Sequence, residues 1–210
     1  MSVRICFIAP KAYPLFNLDI GGVFGGAEVD FYYLATELAK DKNYNVSCIV
    51  ADYGQPPVEV RQGVALIRSL DFDKNLLVGA WRLWRALKEA NADIYMLKTA
   101  SAGVPLVAFF CKSHRKCFVY RIAHQYEYDG TYLKQHFFLG KSFAWALRQA
   151  KVVFAQNDND EEQLQKTIGI GSIAIPNGHR LSELAGDERD AIPVSYTHLR
   201  AHETSLQLVC

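Results

Sequence analysis

Between residues 3 and 175, short apolar runs alternate with longer stretches in which apolar residues recur every three or four positions. The runs at 3–9, 46–51, 93–97, 117–122 and 151–155 are rich in β-branched and aromatic side chains and lack regular polar alternation. That is the pattern of strands covered on both faces. Weaker strands are expected at 64–68, after the turn-rich residues 53–57, and at 172–175. Helical spacing appears at 27–40, where Phe31, Leu34, Ala35 and Leu38 share a face, and at 76–90, through Leu77, Ala80, Trp81, Trp84 and Leu87. It returns at 104–111, at 132–150 through Phe137, Phe138, Phe143 and Leu147, and at 160–168, while residues 10–25 read as a loop holding prolines and glycines. Buried strands alternating with helices predict an α/β fold, a Rossmann-like parallel sheet with helices on both faces. The pattern makes one domain of residues 1–190.

Composition changes this picture little. Half of the 210 residues are hydrophobic, 21% are charged and the formal net charge is +1, so no overall field recruits nucleic acid. No uncharged stretch reaches the ~20 residues of a membrane-spanning helix, and the N-terminus lacks the pattern of a signal peptide. Cys6, Cys48, Cys111, Cys117 and Cys210 show neither a CxxC pair nor zinc-ligand spacing. Free thiols, a reducing compartment and a cytoplasmic location are the expectation. From residue 194 the periodicity stops. Residues 194–203, Val-Ser-Tyr-Thr-His-Leu-Arg-Ala-His-Glu, read as the translation of a widely used transposase sequencing adapter. Residues 194–210 are therefore expected to be a non-native tail, following truncation near Ile192.

Three sites are candidates for chemistry. Gly21-Gly22-Val23-Phe24-Gly25-Gly26-Ala27-Glu28 runs into the first long helix. Backbone N–H groups at a helix N-terminus, with the positive end of the dipole behind them, favour an anion, and glycine lets a phosphate or sugar touch the backbone. The same glycines also suit a flexible loop that opens a helix. There is no GxxxxGK[ST], and some fifteen residues separate the loop from the strand, where a dinucleotide fingerprint would be tight against it. Asp52, ending the second strand, does mimic the ribose-binding acid of that fingerprint. His124 lies just past the strand at 117–122, where parallel sheets bind ligands, with Glu127 and Asp129 near enough to orient it or raise its pKa. It also suits a histidine that merely caps the strand. Asn177-Gly178 is first of all a turn signal.

Taken together, these sites resemble the N-terminal domain of family 4 glycosyltransferases, whose GT-B fold sets two Rossmann-like domains face to face. The resemblance rests on Gly25-Gly26-Ala27-Glu28, Leu38-Ala39, the valine-rich strand 46–50, His124, and the Ile-Pro-Asn-Gly turn ending at Gly178. Where the family continues with Val-Asp, this chain has His179-Arg180. The resemblance implies transfer of a sugar from a nucleotide-diphosphate donor, with retention of configuration, to a carbohydrate or lipid-linked acceptor. It implies no cofactor and no metal. Gly25, Gly26, Ala27, Glu28, Asn177 and Gly178 would bind donor phosphates or substrate, and His124 would act near the reacting centre. Residues 1–190 would be the acceptor-side domain, with the donor-binding domain missing and the fragment inactive by itself. Arg82, Arg85 and Lys88 interleave with Trp81 and Trp84, and Lys112, His114, Arg115 and Lys116 form a second basic cluster. Either suggests weak peripheral contact with the inner membrane surface, although a core helix with a solvated basic face gives the same pattern. Alternatives are a nucleotide-sugar epimerase or phosphorylase of the same architecture, and a non-catalytic nucleotide- or NAD-binding module.

Overall fold

A computed structural model describes residues 2–176. Asn177, Gly178, the boundary near residue 190 and the expected tail at 194–210 lie outside the described residues. The chain runs β1 (Val3–Ile8), a buried 3-10 turn (Pro10–Ala12), α1 (Tyr13–Phe16), α2 (Gly26–Leu38), β2 (Tyr44–Val50), β3 (Val58–Arg61) and β4 (Val64–Arg68). Then follow α3 (Leu76–Ala90), β5 (Ile94–Lys98), α4 (Gly103–Ser113), β6 (Cys117–Arg121), α5 (Thr131–Gln135) and α6 (Phe137–Gln149). The described part ends with β7 (Val152–Ala155), α7 (Asp158–Thr167) and β8 (Ile173–Ala174).

The strands form one sheet in the order β3-β4-β2-β1-β5-β6-β7-β8, parallel except for β3. Strand β1 shows why the runs are continuously apolar. Its Ile5 and Phe7 pack with Phe31 and Ala35 of α2, while Cys6 and Ile8 pack with Leu83, Leu87 and Val107 on the other face. Phe7 and Phe31 meet edge to face at 5.1 Å, and full burial of a ring such as Phe31 stabilises by roughly 1.5–3 kcal/mol. Asn75 caps α3 by accepting from the Val78 N–H at 3.0 Å, and Asn157 caps α7 by accepting from Asp160 at 3.0 Å. Strand β1 pairs with β2 on one side and β5 on the other, so the chain leaves their carboxyl ends in opposite directions. Parallel α/β sheets bind ligands at such a switch point, and α2 begins beside this one.

Four details depart from the sequence expectations. Residues 58–61 form an antiparallel edge strand, joined to β4 by a tight turn at Gln62 and Gly63, both at positive φ (52° and 80°). Such a two-residue turn matches strand twist. Residues 10–25 are not simply a loop, since Ala12 and all four residues of α1 are buried. The single helix expected at 132–150 is two, broken at His136 (φ −124°, ψ 80°). Finally, α3 buries Leu83, Ala86 and Leu87, whereas Leu77 and Trp81 are exposed. Phe137 and Phe138 are exposed as well; α6 buries Gly140, Phe143, Ala144, Ala146 and Leu147 instead.

Candidate functional site

The carboxyl ends of β1, β5 and β6 converge on the start of α2. Gly25 is the N-cap in extended conformation (φ −110°, ψ −178°), and Glu28 reaches back to accept from the Gly25 N–H at 2.8 Å. The fold itself does not demand glycine there. A Cβ on Gly26 would meet nothing within 4 Å, and one on Gly25 only the flexible Glu28 carboxylate at 3.2 Å. Gly22 is different, because its Cβ would meet Pro14 Cγ at 2.5 Å. Gly25 and Gly26 are exposed, and Ala27 and Glu28 half-buried. The first turn of α2 thus presents bare backbone at the positive end of a 13-residue helix.

Asp30, one turn further along α2, ties the helix to the sheet. Its Oδ2 lies 2.8 Å from Lys98 Nζ, at the end of β5, and 3.2 Å from Arg121 Nε, at the end of β6. The side chains of Lys98, Arg121 and Asp30 are only 3%, 8% and 11% exposed. Two cations thus face one carboxylate beneath the rim, with Glu127 also near Lys98. Arg121 also donates to the Pro176 carbonyl at 3.1 Å, which anchors the last described residue to the same group.

His124 follows β6 on the same rim. Its ring stacks on Tyr126 (5.4 Å, 12°), and Tyr126 continues through Tyr132 to Phe143 in the core. Partial burial lowers the His124 pKa and the Lys98 charge lowers it further, while Glu28 is close enough to pull the other way. The imidazole is therefore neutral at neutral pH, able to donate from one nitrogen and accept at the other. The expectation that Glu127 and Asp129 raise this pKa is overturned. Glu127 is fully buried and turned inward. Its Oε2 accepts from the Tyr120 hydroxyl (2.9 Å) and the Ala123 N–H (3.3 Å), and its Oε1 from the Ala100 N–H (3.2 Å). Asp129 accepts from the Thr131 N–H at 2.7 Å.

Between Lys98 and Ala100 sits Thr99 at φ +74°, a region that β-branched residues rarely adopt and that marks local strain of roughly 1–3 kcal/mol. Its Oγ1 is buried with no hydrogen-bond partner among the described residues.

Residues 24–183 match Glycosyltransferase Family 4. The chain belongs to glycosyltransferase family 4. No curated protein matches it in sequence. Among solved structures, it is similar to sucrose-phosphate synthase from Thermosynechococcus elongatus, with a TM-score of 0.64 at 16% identity over 86% of this chain and 49% of that one. It is also similar to a putative UDP-N-acetylglucosamine 2-epimerase from Listeria monocytogenes, with a TM-score of 0.52 at 10% identity over 79% of this chain and 42% of that one. At these identities the likeness is one of fold, the Rossmann-like half of a GT-B architecture. The chain spans about half the length of the structures it matches.

The structure brings Gly25, Gly26, Ala27, Glu28 and His124 to one rim. Asn177 and Gly178 lie outside the described residues, although Arg121 holds the residue just before them. Asp52, which resembled a ribose-binding acid, is engaged by Arg82 at 3.3 Å and Arg68 at 3.6 Å. These residues line a separate cleft of about 360 Å³ with Trp81 and Arg85. Asp30, Lys98 and Arg121 escaped the sequence reading. Their legible signal was a cation closing an apolar strand at its carboxyl end, where charge is rarely buried without a partner. Among the described residues no cluster of three or more His, Cys, Asp or Glu suits a metal, and no helix is long and apolar enough to cross a membrane. Cys6, Cys48 and Cys111 are buried free thiols, and Cys117 is free and half-buried.

Proposed function

We propose that the chain is the acceptor-side half of an enzyme that transfers a sugar from a nucleotide diphosphate to a carbohydrate or lipid-linked acceptor, with retention of configuration. The observation that carries this reading is the meeting of a bare, glycine-opened helix N-terminus with a neutral histidine over the buried Asp30–Lys98–Arg121 ion cluster. The N–H groups of the first turn of α2, helped by the helix dipole, would hold the donor diphosphate. Lys98 and Arg121 would add positive potential from below. His124 would hydrogen-bond a hydroxyl of the transferred sugar as charge develops at the reacting carbon. Glu28, already capping Gly25, would set the shape of the loop and keep it open. Asn177 and Gly178 would continue the same wall. No cofactor or metal enters this scheme, in which the helix dipole and the backbone N–H groups offset the diphosphate charge. The facing wall, with the base and ribose site, would come from a second domain. Without it, water is not excluded from the donor, and this chain alone would not catalyse transfer. Action in the cytoplasm fits the free thiols. Arg85, 5.0 Å over the exposed ring of Trp81, would offer weak peripheral contact with an anionic membrane surface.

The test measures nucleotide diphosphate release from a panel of nucleotide sugars by the chain joined to its second domain. Gly26→Trp should abolish release by filling the open space above the helix. His124→Ala should lower turnover about a hundredfold, the loss of one preorganised hydrogen bond worth roughly 3 kcal/mol, with nucleotide affinity nearly unchanged. Full turnover in both variants would refute the proposed site.

A further inference from the structure

Among the described residues, the one fully buried carboxylate at the rim has no part in the scheme above. Glu127 sits one short turn beyond His124, in a 3-10 segment (Gln125–Glu127) where its own N–H donates to the His124 carbonyl at 3.1 Å. Its two oxygens accept from three donors on two different strand exits: Ala100 beyond β5, and Tyr120 and Ala123 at the end of β6. The Ala100 contact falls directly after the strained Thr99 and so holds that turn in place. The Ala123 contact fixes the residue just before His124.

We propose that Glu127 is a positioning residue that holds His124 in working orientation by clamping the β5 and β6 exits together. The inference rests on the transferase reading for its purpose, but not for its test. A carboxylate accepts at both oxygens and satisfies all three donors at once. A protonated carboxyl, or an amide, turns one of its atoms into a donor. The Tyr120 hydroxyl can rotate to accept from that donor, but a backbone N–H cannot: beside a protonated carboxyl the N–H keeps only a weaker acceptor, and beside the NH2 group of an amide it loses its partner. The clamp therefore works through its charge state and not through bulk alone.

Burial pushes the Glu127 carboxyl up to about 7, with its three donors Tyr120, Ala123 and Ala100 pulling it back and the His124 N–H adding a weaker pull. The groups facing it are Tyr120 on β6, Tyr126 and Tyr128 in the loop, Tyr132 on α5 and Lys98 at the end of β5. Burial raises all four tyrosines above their ordinary value, so they stay protonated through neutrality. His124 titrates below its ordinary value. His136 stands behind Tyr132 at 5.0 Å.

The experiment is NMR on the 210-residue chain, which needs no substrate. The amides of Ala100 and Ala123 and the His124 ring are followed from pH 5 to 9 in wild type, His136→Asn and Glu127→Gln. Both amides should shift together in one transition near 7, which the His124 ring senses apart from its own lower titration. The transition should survive His136→Asn and vanish in Glu127→Gln. The variant's Ala100 or Ala123 amide should exchange roughly tenfold faster, the loss of one buried hydrogen bond. Amides that do not shift together in wild type would overturn the proposal even if Glu127→Gln fails to fold. An unchanged His124 ring signal in a folded Glu127→Gln would do the same. Absence of nucleotide-sugar turnover in the joined enzyme would instead overturn the transferase reading and leave these spectra as they are.

Discussion

Replacing Asp30 with alanine isolates the contact that ties α2 to the sheet. In the native chain the Asp30 carboxylate faces Lys98 at 2.8 Å and Arg121 at 3.2 Å, and both cations are nearly inaccessible to water. Truncation leaves two like charges buried side by side without their anion. Breaking a buried pair in this way costs roughly 3–5 kcal/mol, because the desolvation already incurred is no longer offset. Lys98 and Arg121 keep further contacts, which places the expectation at the lower end, about 3 kcal/mol. For a chain of this length each kcal/mol moves the thermal midpoint by about 2–4 °C, so Asp30→Ala should melt roughly 6–12 °C lower. Asp30→Asn keeps an acceptor and should lose less. Scanning calorimetry or circular dichroism at fixed pH and salt reads the effect. Because the ions are buried, 0.5 M salt should change it little. A midpoint within about 2 °C of wild type would refute the reasoning and make the triad a solvated surface pair.

The His136 break brings the backbones of α5 and α6 so close that a Cβ on Gly140 would lie 2.7 Å from Leu133 Cα. Gly140→Ala should therefore cost about 1–3 kcal/mol, despite alanine's better helix propensity, and a rise in the denaturant midpoint would disprove the close approach. Glu127 predicts a pH gradient in stability. Its folded value of about 7 lies above the ordinary 4.5, so its contribution is complete below about 4.5 and is lost as pH rises through 7. The shift converts to roughly 3 kcal/mol, opposed in part by His124, whose lowered value withdraws stability as pH falls below 6.5. Urea titrations at pH 5 and 8 should show that Glu127→Gln removes a gradient favouring pH 5; equal gradients in both proteins would contradict it. Burial pushes the Cys6 and Cys111 thiols up to about 12 and raises Cys48 further. Iodoacetamide at pH 8 should spare all three in the native chain and modify them in urea, as peptide mass mapping would reveal.

The sequence by itself determined the class of fold. Uninterrupted apolar strands such as the one around Phe7 are stable only between two covering layers, and helical spacing supplied those layers. It also marked two segments as candidates, because glycines before a helix and a histidine after a strand carry local chemistry that needs no partner to be noticed. What it could not assign was any feature arising from residues far apart in the chain. Asp30, Lys98 and Arg121 form one cluster only because β5 and β6 lie side by side under α2, and nothing in the spacing of 68 residues between Asp30 and Lys98 announces that. The direction of Glu127 was equally hidden. Its nearness to His124 in sequence suggested a partner for the imidazole, yet three donors from two strand exits turn it inward. The exposed faces of α3 and α6 followed the same rule. Apolar periodicity marks which side chains share a stripe, but only the packed neighbours decide which edge of that stripe is buried, so Leu83 went in and Trp81 stayed out.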